Sequence, residues 1–132
     1  MQEDVAKPNQ NAQILALASY GGFFVGIPIL WILPMVTRDE PFALFHAKHA
    51  GTLFLGSFVS GIVLFVVYFV VGVVTCGFGW ILMAPVFLVV GVVQFCLLFF
   101  GLYDSVRGEM TEVPYLTPAS ETVFGSIQCI EE

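Results

Sequence analysis

Two long stretches of this chain contain no Asp, Glu, Lys or Arg, and they limit its fold more than any other feature. They cover residues 8–37 and 49–103 of the 132. An ionised side chain at the centre of a bilayer is costly, so charge-free runs of this length are typical of segments surrounded by lipid. The buried core of a soluble protein would also be apolar, but this chain lacks the polar residues to cover one. The pattern therefore predicts an integral membrane protein.

The composition excludes several classes of protein. Hydrophobic residues make up 58% of the chain and charged residues 11%, whereas soluble domains carry roughly 25% charged residues. An ordinary soluble enzyme, a disordered chain and a basic nucleic-acid binder are all inconsistent with these values. The formal charge is −6. Glu3 and Asp4 make the N-terminus acidic, whereas a cleavable signal peptide begins with a basic region, so the first apolar segment is expected to remain uncleaved.

The apolar stretches divide into three predicted transmembrane helices, which makes the expected fold an all-α integral membrane protein. A helix of about 25 residues reaches roughly 37 Å, enough to cross a bilayer core of ~30 Å. Pro28 is expected to bend the first helix, and Gly77 and Gly79 to turn the chain after the second. Open strands would leave backbone groups unpaired in lipid, so helices are favoured despite many β-branched residues. The predicted segments are an N-terminal tail 1–11, transmembrane helix 12–36 (kinked), a loop 37–49, transmembrane helices 50–75 and 80–103, and an acidic C-terminal tail 104–132.

The loop between the first two spans is predicted to hold a short interfacial helix. Asp39 and Glu40 precede Pro41, and acidic residues before a first-turn proline favour a helix start. The helix is expected to lie at the membrane surface and to turn into the second span. The residues that characterise it are Pro41, Phe42, Phe45, His46, Lys48 and His49.

Three spans would place the two tails on opposite sides of a bacterial inner membrane. The loop and the C-terminal tail carry Arg38, Lys48 and Arg107, whereas the N-terminal side carries only Lys7. The positive-inside rule then predicts a cytoplasmic C-terminus and an external N-terminus.

Small or polar residues recur at helical spacing in each predicted span. Such residues allow helices to approach closely in lipid, so we expect these stripes to face one another or a partner. Gln94 is the only amide deep inside a span, and an interhelical hydrogen bond is the preferred interpretation of it over a conduction path. The predicted packing residues are Ser19, Gly22, Gly26, Gly56, Ser60, Gly91, Gln94 and Gly101.

No residue pattern indicates catalysis, a cofactor or a metal. His46 and His49 are spaced so that both could reach one ion, but no Cys or carboxylate pattern completes a metal site. The cysteines, Cys76, Cys96 and Cys129, match no zinc or redox spacing. We therefore expect a protein that is not an enzyme. The acidic tail is interpreted either as a solvated end or as a segment that docks on a neighbouring protein.

The sequence from Arg38 to Ala50, with its Phe-His-Ala-Lys core at 45–48, resembles a known family. It is similar to small bacterial membrane proteins of unknown function that are grouped with the Tic-twenty-type component of the chloroplast inner-envelope import machinery. The similarity covers about residues 12–116, with His49 where that family usually has Gln. The resemblance implies a non-enzymatic helical bundle that works inside a larger membrane assembly.

These observations favour an accessory or structural subunit of a membrane protein complex. Its expected partners are the membrane, its lipids and other membrane-protein subunits, with no nucleic acid and no soluble small-molecule substrate. One alternative is a component of a protein-translocation or channel assembly, which the family resemblance suggests. Another is a lipid-binding or membrane-shaping protein that uses the segment from Phe42 to His49.

Overall fold

A computed structural model describes residues 7–130, and this part of the chain is helical with no strand. The expected all-α fold is confirmed. The elements are α1 (Gln10–Val25), a 3₁₀ turn (Pro28–Trp31), α2 (Ile32–Thr37), α3 (Pro41–Val74), α4 (Phe78–Arg107) and α5 (Leu116–Phe124).

Helices α3 and α4 form a long apolar hairpin. They contain 34 and 30 residues, so each is long enough to cross a bilayer core of ~30 Å. Both have an apolar window that other parts of the chain leave almost wholly uncovered, as expected for a surface that contacts lipid rather than water. These two helices can cross a membrane by length and composition. A third crossing by residues 12–36 stays a prediction.

Close packing at two glycines makes the turn of the hairpin tight. The indole of Trp80 lies where a side chain at Gly72 would have to be, and Gly79 packs in the same way against Val71. Gly77 takes a φ of +94°, a conformation that glycine adopts without strain. The tip between the helices, residues 75–77, contains no charged residue.

The first apolar stretch reverses direction, whereas the sequence predicts a single helix kinked near Pro28. Helix α1 ends at Val25, and Gly26 follows with a φ of +85°. The backbone N–H groups of Gly26 and Ile27 both donate to the Gly22 carbonyl oxygen, which closes the helix end as in a Schellman motif. The 3₁₀ turn then packs back against α1, with the Leu30 side chain over Gly22. The physical reason is the left-handed glycine, which turns the chain before Pro28 can bend it.

Both ends of the described chain lie at the same end of the molecule, not at opposite ends as expected for three spans. Pro8 lies beside Gly108, and Lys7, Glu40 and Glu109 line one shared cavity. The reversal at Gly26 explains this, because it returns the chain to the level at which α1 began. Residues 1–6 of the predicted N-terminal tail lie outside the described residues. We call this the charged end, because it holds every charged residue of 7–130: Lys7, Arg38, Asp39, Glu40, Lys48, Asp104, Arg107, Glu109, Glu112 and Glu121.

Residues 41–49 form the first turns of α3 rather than a separate interfacial helix. The helix begins at Pro41 with Glu40 as its N-cap, but nothing between His49 and Gly51 interrupts it. The segment is largely covered by α1, α2 and α5, so most of its side chains face protein instead of a membrane surface. In the structure this segment therefore differs from the predicted surface helix in both its end point and its exposure.

Candidate functional site

The first three turns of α3 carry a buried polar cluster, which is the most distinctive chemical feature of the charged end. His46, Lys48 and His49 are 2%, 9% and 3% exposed. Buried polar groups need partners, since leaving one unpaired costs more than a hydrogen bond gains. The partners here come from α1, the segment after α4, and α5, so the cluster connects four parts of the fold.

His46 holds the segment that follows α4. Its Nε2 lies 2.9 Å from the Glu109 carbonyl oxygen, which can only accept, so Nε2 carries the proton and donates. Its Nδ1 is then an acceptor, and the Tyr20 hydroxyl lies 3.4 Å away as the donor. The ring also makes an edge contact with Phe42 at a centroid distance of 4.6 Å. Both ring nitrogens are thus used in binding the chain to itself.

His49 holds the start of α5 through a chain of hydrogen bonds. Its Nδ1 donates to the Phe45 carbonyl oxygen at 2.9 Å, which leaves Nε2 as an acceptor. The Thr117 hydroxyl, 3.0 Å from Nε2, donates to it, and the same hydroxyl accepts the Val113 N–H at 2.9 Å. The C-terminal segment is therefore docked on α3 and is not a wholly solvated end.

Two further contacts complete the docking of α5. The ammonium of Lys48, whose side chain is 11% exposed, lies 3.4 Å from Glu121 Oε1. The ring of Phe124 packs on Trp31 at a centroid distance of 5.7 Å, and Gly51 provides the space that both rings occupy. The tail thus covers its own chain, whereas the sequence suggested a neighbouring protein as the alternative to solvent.

The space inside the cluster is too small for a substrate. A cavity of about 10 Å³ lies between Tyr20, His46, His49 and the buried Asp104, which is close to the minimum that one water molecule needs. Within residues 7–130, no three or more His, Cys, Asp and Glu side chains are grouped so that they could hold a metal ion. The arrangement supports a positioning role for these residues.

The predicted packing residues fall into two groups. Ser19, Gly22 and Gly101 lie at contacts, with Gly101 against the Tyr20 ring, and the Gln94 amide donates to the Ser60 hydroxyl across α3 and α4 at 2.9 Å. A side chain at Gly26, Gly56 or Gly91 would instead meet no neighbouring atom within 4 Å.

Several important positions were missed from the sequence. Gly51 and Gly72 also make close approaches, and each faces a tryptophan, a pairing that helical spacing alone does not indicate. Tyr20 and Thr117 were missed because their partners are 26 and 68 residues away. The only sequence feature that could have indicated Tyr20 and Thr117 was a polar side chain within an apolar segment or a segment that contains proline.

Comparison with known proteins identifies a family for most of the chain. The model of the magnetosome magnetite crystal formation protein family matches residues 9–119, from the residue before α1 into the first turn of α5. No curated protein and no solved structure matches the chain. The match supports the expected small bacterial membrane-protein family, but not its grouping with the chloroplast import component.

Proposed function

Because the chain belongs to the magnetosome magnetite crystal formation protein family, we propose that it is a non-enzymatic accessory protein of the magnetosome membrane that acts in magnetite crystal formation. The observation that carries this proposal is the extent of the match, which includes both the apolar hairpin and most of the charged end. The family relationship therefore concerns the whole membrane architecture rather than one short motif.

The geometry of the buried polar cluster supports a positioning role for its two histidines. An acid–base catalyst needs a titratable group within reach of a bound substrate. Here both ring nitrogens of His46 and of His49 are hydrogen-bonded to partners within the chain. The cavity between the two rings has a volume of about 10 Å³. These two histidines therefore hold the segments of the charged end together beside the apolar hairpin.

The exposed hairpin supports an accessory role beside other membrane proteins. Gly56 and Gly91 are open positions on α3 and α4, and small residues on a lipid-facing surface allow another helix to approach. A translocation or channel role has less support. A single pair of helices encloses no conduction path, and the Gln94 amide is hydrogen-bonded to the Ser60 hydroxyl.

We also propose that both described ends of the chain face the cytoplasm. Lys7, Arg38, Lys48 and Arg107 all lie at the charged end, whereas the tip at residues 75–77 carries no charge. The positive-inside rule then orients the hairpin with its tip on the far side. The stretch from α1 to α2 enters the membrane and returns, and its reversal is tolerable in lipid because the Gly26 and Ile27 amides are bonded.

Thiol labelling in sealed inside-out vesicles tests this orientation. In a chain whose own cysteines are replaced by serine, Asn9→Cys and Glu112→Cys should both react with a membrane-impermeant maleimide. The native thiol of Cys76 alone, kept as the third variant, should react only after the vesicles are opened. Reaction at position 9 only after opening would instead support three spans.

The function is tested by deleting the gene in a magnetite-forming bacterium that carries it. We expect crystals of altered size or number by electron microscopy, and recovery with the wild-type chain. A purified magnetosome fraction should contain the protein. Crystals unchanged by the deletion, or a protein absent from that fraction, would refute the proposal.

A further inference from the structure

The outer face of α4 carries an apolar groove next to the charged end. Phe95, Cys96, Phe99, Phe100 and Tyr103 line a depression of about 420 Å³. The spacing of these residues by three and four places them on one face of the helix. Phe95 and Phe99 are each 54% exposed, so no other part of residues 7–130 fills the groove.

A second groove runs beside the first and shares two of its residues. Cys96 and Phe100 also line a depression of about 320 Å³, which continues over Leu97 to Glu112, Val113 and Pro114 in the segment after α4. Phe100 therefore separates two adjacent, largely apolar channels. Two depressions on either side of one ring leave room for two acyl chains.

An ion pair lies beside Tyr103, at one end of the first groove. The Arg107 guanidinium carbon lies 5.4 Å from the centre of the Tyr103 ring, and its Nη1 donates to the Tyr103 hydroxyl at 3.3 Å. The cation is therefore turned back towards the groove. Arg107 Nε lies 3.5 Å from Glu109 Oε1, and the two side chains are 53% and 49% exposed, so both charges remain open to a ligand.

We infer that this face of α4 is a binding site for a phospholipid whose head group carries a primary amine. Its phosphate binds Arg107, its ammonium group donates to Glu109, and its two acyl chains occupy the channels on either side of Phe100. The charges select this occupant. An anionic head group without an amine would meet the Glu109 carboxylate, and a choline head group has no N–H to donate to it.

Retention of lipid by the purified full-length protein tests the inference. Protein in detergent is incubated with phosphatidylethanolamine, phosphatidylcholine or phosphatidylglycerol of identical chains, and native mass spectrometry measures the bound fraction. We expect wild type to retain phosphatidylethanolamine about tenfold better than the other two, which is the size of effect that one charge-assisted hydrogen bond supplies.

Variants separate the parts of the site. Arg107→Gln should lower retention of all three lipids, and Glu109→Gln should remove the preference for the amine while phosphatidylglycerol binds better. Phe100→Ala should lower retention without changing the order of preference. The matched controls are Arg38→Gln, at another exposed cation, and Phe58→Ala, at an exposed ring of α3, and both should behave as wild type.

Equal retention of the three lipids by wild type would overturn the inference. So would a preference for phosphatidylethanolamine that survives in Glu109→Gln. Circular dichroism of each variant must show the wild-type helix content, so that loss of lipid is not caused by unfolding. The lipid measurement does not depend on magnetite crystals, so failure of this inference can be distinguished from failure of the proposed function in the gene-deletion experiment.

Discussion

Replacing Gly101 by leucine should lower the free energy of unfolding by about 2–3 kcal/mol, as overpacking at a tight contact does. A Cβ at this position would lie 2.5 Å from two carbons of the Tyr20 ring. Tyr20 is 2% exposed and also contacts His46, so the ring has little room to move. The variant should therefore separate α1 from α4 and disturb the polar cluster beneath the ring. The loss of unfolding free energy is measured by unfolding the protein in mixed micelles while circular dichroism monitors the helix content.

Gly91→Leu is the matched control for that variant. Gly91 lies on the same helix and in the same predicted stripe, but no neighbouring atom lies within 4 Å of the added Cβ. Leucine has the higher helix propensity, so this change should be neutral or slightly stabilising. Equal losses of unfolding free energy in Gly101→Leu and Gly91→Leu would show that α1 does not pack on Gly101.

Replacing His46 by alanine should cost about 2–4 kcal/mol, since it leaves a cavity and removes the partner of a buried carbonyl group. The expected first effect is local. The Glu109 carbonyl oxygen loses its donor, so the segment between α4 and α5 should open to protease. Limited proteolysis should cut the variant within residues 109–115 much faster than wild type, and micelle unfolding should give the total loss.

Two comparisons make the His46 result specific. Phe58→Ala removes a large side chain from the same helix, but one that is 61% exposed, so it should leave proteolysis unchanged. Tyr20→Phe removes only the hydroxyl at 3.4 Å and should have a smaller effect than His46→Ala. If His46→Ala resists protease as wild type does, the histidine does not hold this segment.

Lipid as the solvent is what makes much of this fold predictable from sequence. The two long helices contain the charge-free stretch 49–103, because helices satisfy their own backbone groups where water is absent. The helix start at Pro41 could also be predicted, since it depends on local chemistry at Asp39 and Glu40.

The reversal at Gly26 could not be predicted from hydropathy. A stretch that folds back on itself has the same apolar composition as one that crosses a membrane. The difference depends on a left-handed glycine and on the space at Gly22 that accepts Leu30. Neither is visible until the chain has folded back.

The polar cluster could be found only in part. His46, His49 and Lys48 stood out as polar residues, but their spacing suggested a membrane surface. Their burial depends on α5, whose Thr117 and Glu121 lie about seventy positions further along the chain. Long-range partners of this kind are set by tertiary packing, so local sequence signals did not indicate the docked tail.

The uncharged tip of the hairpin has a consequence for how the protein is made. In the proposed orientation, α3 and α4 carry residues 75–77 through the hydrocarbon layer during biogenesis. Ionised groups are the main obstacle to such translocation, and this loop has none. In that orientation the two helices can enter the bilayer together, and the charged segments stay on the side of synthesis.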